Sequence, residues 1–156
     1  MRSSLATVLC FALLVVVGCG KSEEATPTAC LGGPKAFERA LAAAPSEVEL
    51  GGETPISDCL TEAQGGGEIA QVGETMVLVA TNLNARAREE PDGDAATQLG
   101  YLIGAAERGS RDTEGIHADL VRRLTVAARY APRGQPLPLA FMARYREGFD
   151  AGRAAG

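Results

Sequence analysis

Ile69, Val72, Met76, Val79 and Leu83 follow one another at steps of three, four, three and four. That spacing returns an apolar side chain to one side of a 3.6-residue turn, so the segment running to Glu90, before Pro91, predicts an amphipathic helix. The same period recurs further on. Ala95, Leu99, Leu102, Ile103 and Ala106 keep it behind Asp94, a side chain suited to capping a helix N-terminus, and Gly109 stands where such a helix would stop. Ile116, Leu120, Leu124 and Ala127 form a third stripe that opens at Asp112 or Thr113 and closes before Pro132, and Phe141, Tyr145 and Phe149 form a fourth behind Pro138. Phe37 and Leu41 make a shorter face after Pro34 that ends at Pro45, and residues 55–64 allow another short helix ended by Gly65, Gly66 and Gly67. Residues 75–81 are β-branched enough to leave a strand open there. The expected fold is all-α: an irregular bundle of about four to six helices joined by short Gly/Pro turns, with a flexible N-terminal tether.

The chain has 156 residues, 46% hydrophobic and 22% charged, which suits one ordinary globular domain. It holds one His and no Trp. A single imidazole leaves little material for metal or acid–base sites.

Met1, Arg2, Ser3 and Ser4 are followed by an almost unbroken apolar run from Leu5 to Val17. A run of about 13 residues is signal-peptide length, short of the roughly 18 to 20 needed to span a bilayer as a helix. It ends in Val16, Val17, Gly18 and Cys19, and these residues resemble the lipobox of bacterial lipoprotein precursors. The resemblance covers residues 1–19 only. It implies cleavage between Gly18 and Cys19, a thioether link from Cys19 to diacylglycerol, and anchoring by acyl chains such as palmitate. Because Gly20 rather than Asp follows the Cys, it also favours the outer membrane in a cell that has two.

The expected organisation is a signal over residues 1–18, acylated Cys19 with a flexible tether through residue 33, and a helical domain over residues 34–156. Residues 20–29 contain no Val, Ile, Leu or aromatic side chain, the mark of a tether. With Cys10 removed and Cys19 acylated, Cys30 and Cys59 remain in an oxidising compartment, where a disulfide is the simplest outcome. A catalytic thiol is the sharper alternative; it has neither a nearby His nor a Cys-x-x-Cys to support it.

Charge is unevenly spread. Residues 21–75 hold ten acids and three bases, a net of −7, whereas residues 121–156 hold seven Arg and two acids, a net of +5. Arg122, Arg123, Arg129, Arg133, Arg144 and Arg146 are therefore candidates for contact with anionic headgroups or an acidic envelope partner, against the plainer reading of a solvated surface. Nucleic acid is not an expected partner, since export separates the chain from it. Gly100 and Gly104 form a Gly-x-x-x-Gly pair whose simplest meaning in a short helix is close packing on a neighbour. Glu114 and His117 stand at i, i+3, but one His cannot supply the two Glu-x-x-His motifs of a di-iron bundle. No catalytic, metal-binding or cofactor motif is present.

The functional expectation is a lipid-anchored envelope protein on the extracytoplasmic face of the cell membrane or outer membrane, acting as a non-enzymatic binding or structural module. The alternative is a carrier with an apolar cavity lined by Phe141, Met142, Tyr145 or Tyr101. An envelope hydrolase comes third, for want of a nucleophile or paired acids.

Overall fold

A computed structural model describes residues 25–111, 113, 115–129 and 136–156. Cys19 and Arg133, along with Asp112 and Glu114, lie outside the described residues. Among the described residues the fold is an all-α bundle of five helices: α1 (Pro34–Leu41), α2 (Gly66–Glu89), α3 (Asp94–Ser110), α4 (Ala118–Ala127) and α5 (Leu139–Ala155).

The long seam is realised as α2, in which Val72, Met76, Val79 and Leu83 are fully buried. Residues 75–81 are helical, so the β-branched stretch takes the conformation its apolar period demands. Gly66 and Gly67 open α2 as its first turn rather than ending a preceding helix. α3 is buried on every side, from Leu99 through Ala106 without a break, and is therefore the central element. It contacts α2, α4 and α5, and also the 3-10 turn Ile56–Cys59.

α3 and α5 pack closest. A Cβ at Gly100 would lie 2.8 Å from the Phe149 amide nitrogen and would overlap the Tyr145 carbonyl oxygen. At Gly104 it would meet the Arg153 nitrogen at 2.9 Å, at Gly148 the Tyr101 nitrogen at 2.9 Å, and at Gly152 the Ala105 nitrogen at 2.9 Å. The partners advance together in number, so the two helices run parallel. The Gly-x-x-x-Gly pair of α3 thus meets a second one, Gly148 and Gly152, and backbone touches backbone as small-residue helix interfaces allow.

Three sequence expectations are corrected. Residues 55–64 are not a helix: Glu49–Leu50 (β1) pairs antiparallel with Thr54–Pro55 (β2), and the 3-10 turn Ile56–Cys59 follows directly. Gly51 and Gly52, at φ 66° and 87°, make the turn between the strands, a backbone that side chains disfavour. α4 begins at Ala118, so Ile116 precedes it and is 45% exposed. Gly109 lies inside α3, where a Cβ would stand 2.9 Å from Ser57 Cα; it is a point of close approach, not a stop.

The tether also ends earlier than expected. Thr26 and Cys30 are buried, and Cys30, in the 3-10 turn Thr28–Leu31, is bonded to Cys59 with the Cα atoms 5.5 Å apart. The folded body therefore includes residues 26–33, and the disulfide joins two 3-10 turns rather than a helix and a tether.

Candidate functional site

The only His of the chain belongs to the core. His117 is fully buried at the N-cap of α4, and its Nε2 lies 2.7 Å from Gln64 Oε1. Gln64 Nε2 donates to the Cys59 carbonyl at 3.0 Å and to Thr26 Oγ1 at 2.8 Å, and Thr26 in turn donates to Glu68 Oε2 at 2.7 Å. The chain of bonds ties the start of α4 to the disulfide turn and to α2. For Gln64 Oε1 to accept, Nε2 must carry the proton, which leaves Nδ1 as the bare nitrogen, buried and without a hydrogen-bond partner. Burial accordingly lowers the His117 pKa below its ordinary value. Such an imidazole holds a fold together and cannot reach an external substrate. Among the described residues, no group of three His, Cys, Asp or Glu side chains is placed to hold a metal.

The second feature is a cleft of about 430 Å³ between the end of α4 and the exposed side of α5. Asn84 of α2 donates to the carbonyls of Ala127 and Arg129 at 2.7 and 3.1 Å, and Arg88 adds a bond to Arg129 at 3.0 Å. These donors satisfy the open carbonyls of the α4 terminus and fix where Arg129 leaves the helix. Facing it, Phe141, Tyr145 and Phe149 stand at four-residue steps on α5, so their rings stack, with centroids 5.7 and 6.1 Å apart. Arg153 covers the far end of the ladder, 5.6 Å above the Phe149 ring.

Ala128, Leu137 and Met142 complete the apolar lining, while Thr125, Arg129 and Arg146 contribute the polar edge. Burial, with the Glu107 carboxylate nearby, pushes the Tyr145 hydroxyl up to about 12, so it remains a neutral donor at any physiological pH. No carboxylate lines the cleft among the described residues.

The six sequence-selected arginines do not form one patch. Arg129 and Arg146 share the cleft. Arg122 pairs with Asp119 on the open surface of α4, and Arg144 donates to the Asp92 carbonyl at 3.2 Å and to Glu147 at 3.4 Å. Arg123 is exposed on α4, and Arg133 lies outside the described residues. Of the aromatic residues expected to line a cavity, Phe141 and Tyr145 do so with Met142, but Tyr101 does not. It is fully buried, and its hydroxyl accepts a bond from the Val48 amide at 3.1 Å.

A larger hollow of about 700 Å³ lies on another part of the surface, against Ser57, Asp58, Thr61, Glu62, Arg108 and Thr113. Its single cation is engaged elsewhere: Arg108 donates to the carbonyls of Ala154 and Arg153 at the end of α5. With a mixed lining and its cation committed, it matches a ligand less well than the cleft does.

No family model, no curated protein and no solved structure matches this chain. Sequence reading overlooked Gln64, whose role depends on three distant contacts, and the pairing of the two glycine motifs. The latter had a signal, since Gly148, Gly152 and Gly156 repeat the spacing of Gly100 and Gly104.

Proposed function

We propose that the chain is a lipid-anchored protein of the bacterial envelope, with residues 1–18 removed, Cys19 acylated, and the helical domain held at the extracytoplasmic face as a non-enzymatic binding module. Its contact surface is the α4–α5 face. The observation that carries this reading is the coincidence of exposed apolar side chains with two cleft arginines, Arg129 just past the end of α4 and Arg146 on α5. Leu137 and Met142, both open to solvent, line the same cleft as Arg129 and Arg146, and Val126 and Leu139 are 59% and 83% exposed on α4 and α5. Protruding apolar groups framed by cations suit an anionic lipid surface, where each cation near the headgroups adds to binding.

Two measurements test the proposal. Intact mass of the protein from bacterial cells should show loss of residues 1–18 and a gain of acyl mass on Cys19, and Cys19→Ala should release the protein from membranes. A chain beginning at Gly20 should sediment with anionic vesicles at low salt and separate from them at high salt. Salt-insensitive or absent binding would remove the surface assignment, and an unmodified Cys19 would remove the anchor. A second reading, a carrier of an apolar ligand, is favoured by the cleft itself, whose volume falls within the range of small-molecule sites.

A further inference from the structure

We infer that the α4–α5 cleft binds a single-chain anionic amphiphile, a long-chain carboxylate, with its hydrocarbon along the Phe141–Tyr145–Phe149 ladder and its carboxylate at Arg129 and Arg146. This rests on the reading of the α4–α5 face as a binding surface and names what that face takes up.

Shape is the first argument. The ladder spans eight residue steps of α5, about 12 Å along the helix axis, so the cleft is elongated rather than round. Its volume of about 430 Å³ lies in the range that encloses small ligands. An elongated apolar channel suits a flexible hydrocarbon chain better than a compact ring system.

Charge is the second argument. Arg129 and Arg146 line the cleft, and neither has a carboxylate partner among the described residues. The remaining polar groups of the lining are the hydroxyls of Thr125 and Tyr145. A neutral hydrocarbon would make no use of the two solvent-exposed guanidinium groups, and a cationic amphiphile would be repelled. A carboxylate accepts the paired donors of a guanidinium in its own plane, and the neutral Tyr145 hydroxyl adds no opposing charge. The lining contains no Ser, Cys, His, Asp or Glu among the described residues, so the inference is one of binding without turnover.

The chain beginning at Gly20 is the material for the test, because it retains every core contact and the disulfide described above. Titration calorimetry with laurate and longer homologues, below their micellar concentrations, should show saturable one-to-one binding. Affinity should rise about fourfold per added methylene until the cleft is filled. The methyl ester of the same acid should bind at least tenfold more weakly. Arg129→Gln combined with Arg146→Gln should weaken the carboxylate by a similar factor while leaving the ester unchanged; both side chains are exposed, and an unaltered melting curve verifies the fold. Met142→Trp, which fills the cleft, should weaken both ligands.

Equal binding of acid and ester would overturn the inference, as would the absence of binding to either. A concentration-dependent dimer, seen by sedimentation and abolished by Met142→Trp, would also overturn it by making a second copy the occupant. Loss of fatty-acid binding with salt-sensitive vesicle binding intact would defeat the inference alone and leave the proposed contact surface standing.

Discussion

Replacing Gly148 by Ala adds one methyl group to α5 at a point where α3 leaves no room for it. The new Cβ would meet the Tyr101 amide nitrogen at 2.9 Å and the Thr97 carbonyl more closely still, whereas ordinary contact begins at about 3.4 Å. Both obstacles are backbone, so no rotamer relieves them. The helices must part by roughly 1 Å, a gap that forfeits up to half of each dispersion contact across the seam. If the seam holds only as many heavy-atom pairs as one buried leucine, roughly 40 to 60 at about 0.1 kcal/mol each, the loss is about 2 to 3 kcal/mol. Alanine returns up to about 1 kcal/mol through its better helix propensity. Residual overpacking adds a similar amount on the unfavourable side, leaving a net destabilisation of about 2 kcal/mol. For a domain of this size that corresponds to a fall in Tm of roughly 8 °C.

The same substitution elsewhere supplies the control. A Cβ at Gly67 meets nothing within 4 Å, and one at Gly73 touches only the flexible end of Leu120 at 3.4 Å. Gly67→Ala should raise Tm by roughly 2 to 4 °C through a less flexible unfolded chain, and Gly73→Ala should change it little. Thermal unfolding followed by far-UV circular dichroism on the three variants and Gly100→Ala decides the matter. If Gly148→Ala and Gly100→Ala melt at or above the parent temperature, the backbone-contact account of the α3–α5 interface is wrong.

Three further outcomes are expected. Removing the Cys30–Cys59 bond by Cys30→Ala with Cys59→Ala frees a loop with a sequence separation of 29, and chain entropy sets the loss at about 3 to 4 kcal/mol, measurable by urea unfolding. Because burial lowers the His117 pKa in the fold, the unfolded chain binds its proton first as pH falls. Stability is therefore fully present above about pH 6.5 and declines below it, by up to about 1.4 kcal/mol per pH unit, until the lowered folded value is reached; His117→Gln should abolish that part of the slope. In alkaline solution the opposite sense holds for Tyr145: its hydroxyl should ionise near 12 by ultraviolet titration, and stability should fall as pH rises above about 10, a component that Tyr145→Phe removes.

What was legible in the sequence was whatever depends on neighbours three and four residues away. The seam of Val72, Met76, Val79 and Leu83 and the stripe of Phe141, Tyr145 and Phe149 both lie on helices as their period demands. Residues 55–64 misled because Pro55 and the following Ile56 suit a helical start, while the paired strands before them depend on the Gly51–Gly52 turn. α4 starts later than its apolar pattern indicates because His117 turns inward to Gln64, 53 positions away. For the candidate site, the aromatic ladder was visible as a stripe, but its openness on one side was not, since burial depends on where α4 ends. Six arginines looked like one group in the sequence; only the cleft between the end of α4 and α5 brings Arg129 and Arg146 together and leaves the rest apart.

The disulfide has a mechanical consequence. Tension applied to the chain from its N-terminal side reaches Cys30 before it reaches α1, and the covalent bridge offers a direct path to Cys59. Residues 31–58, which include α1 and both strands, are thereby shunted out of the path and cannot be peeled away one turn at a time. From Cys59 the pull runs on to α2, whose Val72, Met76, Val79 and Leu83 are fully buried. A domain tugged at that end would therefore resist with the buried seam of its longest helix first, and its rupture force would drop sharply on reduction of a single bond.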